Sequence, residues 1–134
     1  MKTKMALTLE DAKKIAAAAE VRALENQWNV CIAIVDDGAH LMHFHRLDGA
    51  QLASIDIAIA KATSAMLGKR PTKAYEDMIN NGRISALSMP GITHMEGGAP
   101  IVVDGECIGA VGVSGVKSAD DAQIAEAGIQ ALAG

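Results

Sequence analysis

The side chains that could do chemistry here are histidines, a few cations and a glycine loop. His43 and His45 form a His-x-His pair. On a strand, residues two apart share a face, so two imidazoles can serve one metal or flank a flat cofactor. His94, in a later segment, is a candidate third nitrogen. A metal site needs three or four ligands at set geometry. The alternative is a pair of polar residues on a half-exposed strand. Arg46 and Lys61 can each bind a carboxylate, Arg46 by a bidentate fork. Lys61 lies in an otherwise small and apolar helix, so its ammonium must reach out to solvent or meet a partner. Local salt bridges or interface pairs are the alternative for both.

The loop Glu96-Gly97-Gly98 before Pro100 is the remaining candidate, with Ser114 from the later stretch Gly109–Gly115. Glycines let a backbone approach a ligand and present N–H groups. They also allow close strand–helix packing, and both readings stand. In the ligand reading, Arg46 lies across the same cleft and neutralises an anionic group. The Walker spacing and the dinucleotide fingerprint are absent. No Ser/His/Asp triad can be placed, neither cysteine has a visible base beside it, and no carboxylate pair is evident, so no complete catalytic motif names a reaction.

These residues need elements to hold them. Thr8-x-x-Asp11 is a variant capping box that opens a helix, with Ala12, Ile15, Ala16, Ala19 and Ala23 at helical spacing and Asn26-Gln27 at its end. Residues 28–36 read as a strand, Asp37-Gly38 as a two-residue turn, and residues 39–46 as the returning strand. That turn pairs Val35 with His40, Ile34 with Leu41, Ile32 with His43 and Val30 with His45. Leu41, His43 and His45 then share one face, with Met42, Phe44 and Arg46 on the other. Asp48 with Gln51 reads as a second capping box for a buried helix 50–67, which Gly68 stops. Pro71 and Thr72 start a shorter helix that ends near Asn80-Asn81-Gly82. Residues 83–89 form a further helical turn closed by Pro90. Ile92–Met95 is a candidate short strand. Ile101–Val103, the turn Asp104-Gly105 and Cys107–Val113 form a second hairpin. Ser118 caps a last helix with Asp120 and Asp121 in its first turn, where the helix dipole favours negative charge. Hairpins with helices outside them predict an antiparallel α+β layer fold in a single domain, residues 1–134.

Composition bounds the partners. A net charge of −4 argues against nucleic acid, which needs a basic patch. Trp28, Phe44 and Tyr75 are the only aromatics in the sequence, too few for base stacking. No apolar run approaches the ~20 residues of a membrane span. The N-terminal stretch has no adequate apolar segment or cleavage site for export, so a cytoplasmic location is expected. Cys31 and Cys107 lie in predicted strands and read as packed thiols. Half of the residues are hydrophobic, mostly Ala, Ile, Val, Leu and Met. Such an excess in a small domain predicts a buried subunit interface, with helix 50–67 its expected contributor.

Arg46-x-Asp48-Gly49-Ala50, Lys61-Ala62-x-x-Ala65, Gly97-Gly98-Ala99-Pro100-Ile101, Ile108 through Gly115, and Ala125-x-Ala127-Gly128 follow one another in an order and spacing that resemble the GlcG/HbpS family. Leu9-x-x-Ala12 and Val35-Asp36-x-Gly38 fit as well, so the resemblance covers about residues 7–133. The same domain stands at the C-terminus of PduO-type cobalamin adenosyltransferases, whose chemistry belongs to a different domain. The resemblance implies a profilin-like fold with a five-stranded antiparallel sheet flanked by helices, assembly from dimers to octamers, and haem binding in some members. It does not supply His43 and His45, where family members usually carry a small residue and a polar one. Three functions follow as expectations: a haem or tetrapyrrole binder, an enzyme or accessory protein acting on a small organic acid, or a structural oligomer with a vestigial pocket.

Overall fold

The computed structural model describes residues 1–133. Its elements run α1 (Leu9–Glu25), β1 (Cys31–Asp36), β2 (Leu41–Arg46), α2 (Ala53–Gly68), α3 (Lys73–Asn80), a 3-10 turn (Ile84–Ser88), β3 (Gly98–Val103), β4 (Glu106–Ser114) and α4 (Ser118–Gln130). The strands form one antiparallel sheet in the order β2-β1-β4-β3. The α+β expectation holds, with four strands in place of five.

Alternation on β1 divides the core. Ile32 and Ile34 join Ile15, Ala16, Ala19, Val111, Val113 and Ile124 in one cluster, under α1 and α4. Cys31, Ala33 and Val35 join Ala58, Ala62, Ala65 and Met66 in the other, under α2. The alanine-rich helices carry little bulk, so they sit close to the sheet. Gly112 and Gly98 complete the approach, because a Cβ at either would run into a backbone carbonyl of α2, Ala58 at one and Lys61 at the other.

The first helix starts as its sequence predicts. Thr8 Oγ1 accepts from the Asp11 N–H at 3.1 Å and the Asp11 carboxylate accepts from the Thr8 N–H at 3.1 Å. The Asp104-Gly105 turn also holds, with φ of 50° and 80° at its two residues and Val103 opposite Glu106.

Other expectations are corrected by local hydrogen bonding. The first hairpin does not turn at two residues. Asp36 Oδ1 accepts from the N–H groups of Gly38 and His40, both at 2.9 Å, and Ala39 takes φ of 64°. The turn thus extends through His40, and a bulge follows between Ile34 and Val35. Ile32 faces His45 and Ile34 faces His43, a two-residue slip from the expected register that keeps both histidines on the predicted face. Met42, the residue skipped by the bulge, packs with the α1 cluster instead of sharing a face with Phe44.

Asp48 caps nothing. α2 begins at Ala53 behind Leu52, with no side-chain cap. Ser118 likewise lies inside α4, and Lys117 takes the cap position. Ile92–Met95 is not a strand. Helix side chains take one donor within it and one just beyond it: Ser64 Oγ accepts from the Thr93 N–H at 2.8 Å, and Glu76 Oε1 from the neighbouring Glu96 N–H at 3.3 Å. A segment bonded this way has no ladder to offer.

Candidate functional site

His43 and His45 project from β2, an edge strand, toward the α1 side of the sheet. Their rings are 4.7 Å apart between centroids and lie edge to face at 65°. The slip of register did not separate them, because strand alternation is local. His43 Nε2 and His45 Nδ1 are both buried and hydrogen-bond to nothing among the described residues. Buried polar atoms are nearly always paired, so two orphaned nitrogens on adjacent rings are unusual. Burial pushes the His43 pKa below the ordinary imidazole value, helped by the neighbouring His45 and Lys13. His43 therefore favours the neutral form, whose bare nitrogen can ligate a metal.

His94 does not join them. It lies before β3, the opposite edge of the sheet, with its ring 5.9 Å from that of Tyr75 and its own Nε2 orphaned. Three strand spacings separate the two edges, roughly 14 Å. Among the described residues no three His, Cys, Asp or Glu side chains gather to hold a metal ion. The three-histidine metal set is corrected to a pair and a lone ring.

Lys61 has a partner. Its Nζ donates to Val113 O at 2.9 Å and to Asp121 Oδ2 at 3.0 Å, and both side chains are almost fully buried, 1% and 2% exposed. The second Asp121 oxygen accepts from the Val116 N–H at 3.1 Å. Burial raises the Asp121 pKa, and the Lys61 charge and hydrogen bond oppose that rise. The pair ties α2 to the end of β4 and the start of α4. Of the two readings of Lys61, the salt bridge is what the structure places. The sequence signal for it was the solitary lysine of an apolar helix; nothing local pointed to Asp121 as its partner.

The glycine loop sits against this pair. Gly97 O accepts from the Val113 N–H at 3.0 Å, and the Gly98 N–H donates to Thr72 Oγ1 at 2.9 Å. Both glycines are buried, and a Cβ at Gly97 would lie 2.6 Å from Lys61 Nζ. The Gly98 donor is thus spent inside the protein, and the glycines act as a packing joint. Ser114 is also buried, with its hydroxyl 3.4 Å from that of Ser54 on α2. The Glu96 backbone is held by Glu76 and its side chain is half-buried. Lys61, Gly97, Gly98 and Ser114 therefore gather around the end of β4. Arg46 does not join them: it is exposed at the end of β2, opposite Cys31, on the far edge of the sheet from the loop. The single cleft expected between Arg46 and the glycine loop does not form.

A hollow lies elsewhere, at the hairpin-turn end of the sheet. It encloses about 700 Å³ and is lined by Lys2, Lys4, Lys69, Met66, Cys107 and Glu106 among others. Cys107 Sγ is 3.6 Å from Met66 Sδ, and burial raises the thiol pKa, so it stays protonated at neutral pH. The histidines are not part of its lining. Sequence reading missed this cavity because its lysines come from an irregular N-terminal segment and a helix end.

Comparison with known proteins adds the following. A family model described as "Haem degrading protein HbpS-like" matches residues 7–130. Protein GlcG of Escherichia coli strain K12 is 48% identical over 114 residues, 85% of each chain. A solved PduOC:heme complex superposes with a TM-score of 0.85 at 30% identity, covering 95% of both chains. A double mutant of Streptomyces reticuli HbpS superposes with a TM-score of 0.89 at 32% identity, covering 98% of this chain and 90% of that one.

Proposed function

The chain belongs to the HbpS-like family, and on that premise we propose that it binds haem or a related tetrapyrrole through the imidazoles of His43 and His45. The observation that carries this reading is the pair of orphaned nitrogens, His43 Nε2 and His45 Nδ1, on adjacent rings at the sheet edge. A neutral imidazole with a free lone pair is the form that would ligate haem iron, so either residue would hold the group through its bare nitrogen. Burial already holds His43 in that form. A PduOC:heme complex among the similar structures supports haem as the ligand class, while the ligating role of His43 and His45 rests on this chain's own geometry. Lys13, close enough to depress the His43 pKa, is a cation available to a propionate.

The test is a haemin titration followed by visible spectroscopy. Wild type is expected to give a shifted Soret band that saturates. His43→Ala and His45→Ala are expected to move the band and to weaken binding at least tenfold. Binding should also weaken as pH falls below the ordinary imidazole value of about 6.5 and through the lowered His43 pKa. A wild-type spectrum that never departs from free haemin overturns the reading. Unchanged spectra in both variants remove these residues from the site.

A second reading rests on the cavity. Lys2, Lys4 and Lys69 converge on it in a chain whose net charge is −4, and a small organic acid is the ligand their ammonium groups suit. Lys4 is already engaged with Asp37, leaving Lys2 and Lys69 for the ligand. Succinate should raise the melting temperature of wild type and not that of Lys69→Glu; equal shifts in both proteins would exclude the cavity.

A further inference from the structure

Two sulfurs in the wall of the hollow contribute nothing to holding a carboxylate. Cys107 lines it from the start of β4, and Met66 reaches it from the last turn of α2. Cys107 Sγ lies 3.6 Å from Met66 Sδ and 3.5 Å from Gly109 O. Met66 is 5% exposed, and Cys107 is half-buried on the α2 side of the sheet. An aliphatic side chain would pack this place as well as a thioether, so packing alone does not call for the second sulfur. Cys31, the other cysteine, is fully buried on β1 and pairs with Ser114, at the opposite end of β4 from Cys107.

We propose that Cys107 and Met66 form a binding site for a soft monovalent metal ion of the copper(I) class. Thiolate and thioether ligands select soft ions such as Cu(I), whereas carboxylates and carbonyls select hard ones. The spacing suits one ion held by both sulfurs. With metal–sulfur bonds of about 2.3 Å, sulfurs 3.6 Å apart subtend roughly 100° at the metal. That angle belongs to a three- or four-coordinate ion, and a further ligand can enter from the hollow that both sulfurs line. Met66 can adjust to the bond length, because its unbranched side chain is flexible. Charge selects the ion as well. Lys2, Lys4 and Lys69 line the hollow together with Asp37 and Glu106, so cations outnumber carboxylates. The thiolate is the ligating form, so the metal displaces the thiol proton that Gly109 O accepts. Exchange of a proton for Cu(I) leaves the local charge unchanged. Exchange for a dication such as Zn²⁺ adds a positive charge beside the lysines. The histidine pair lies outside this hollow, so copper here would not compete with haem there.

Anaerobic competition with bicinchoninate, a coloured Cu(I) chelator, tests this on the full, reduced chain. Wild type is expected to withdraw about one equivalent of copper. Cys107→Ser is expected to weaken binding about 100-fold and Met66→Leu about tenfold, since each removes one soft ligand and nearly keeps the volume. Cys31→Ala should bind as wild type does. X-ray absorption on the wild-type copper complex needs no variant, and should show two sulfur neighbours at about 2.3 Å. Nitrogen neighbours alone would overturn the proposal. So would a wild type that withdraws no copper, or a Cys107→Ser or Met66→Leu variant that binds as wild type does. Displacement of the copper by an equal concentration of Zn²⁺ would overturn it too.

Discussion

Replacing Lys61 by methionine removes one charge from the best-buried ion pair among the described residues. Methionine keeps most of the aliphatic stem's volume, so the change is electrostatic more than steric. Asp121 is then left 2% exposed, with the Val116 N–H as its remaining hydrogen-bond donor. Breaking a buried pair by removing one partner costs about 3–5 kcal/mol, because an uncompensated charge stays inside. A domain of this size has a total stability of about 5–15 kcal/mol, so the loss is a large fraction of it. The sign of the pH dependence follows from Asp121. Its pKa is already raised by burial, and the variant loses the Lys61 charge and hydrogen bond that hold it down. A carboxyl whose folded pKa exceeds its unfolded value binds more protons in the native state. Stability of Lys61→Met should therefore be least impaired near or below pH of about 4, and should fall as pH rises toward the raised folded pKa. Urea denaturation of wild type, Lys61→Met, Asp121→Leu and the double variant at pH 4 and 7 measures this. The double variant should recover most of the loss of either single one, since a buried pair exchanged for apolar groups is often neutral. A loss below about 1 kcal/mol in Lys61→Met at pH 7, or additive losses in the double variant, would refute the reasoning.

Gly98→Ala should destabilise by about 2–3 kcal/mol, because the added methyl meets the Lys61 carbonyl and no flexible side chain can yield; a urea midpoint within error of wild type would return the loop to a ligand-lining role. Thr72→Val removes the acceptor of the buried Gly98 N–H and should cost about 1–3 kcal/mol in the same assay, with Thr72→Ser retaining most of the stability. Acidification should weaken the fold through His43: its pKa is lowered in the native state, so the stabilising neutral form is complete above pH of about 6.5 and is lost progressively below it. Thermal melts of His43→Phe should lack that acid limb, and an identical limb in both proteins would assign it to another group.

The features legible in the sequence were those decided within a few residues. The α1 capping box, the Asp104-Gly105 turn and the shared face of His43 and His45 depend on backbone periodicity and short-range hydrogen bonds. Even a two-residue register slip leaves strand alternation intact, so the histidine pair survived an error in the hairpin. Family membership was legible for a related reason, since ordered small residues record where backbones must pass close together. Tertiary structure decided which partner each polar group takes. Ser64 and Glu76 capture the donors of Thr93 and Glu96 and so cancel a fifth strand, Asp121 reaches Lys61 across sixty residues, and the sheet order places Arg46 and His94 on edges away from their expected companions. A buried polar atom is satisfied by whichever group the fold brings within about 3 Å, and separation along the chain says nothing about that distance.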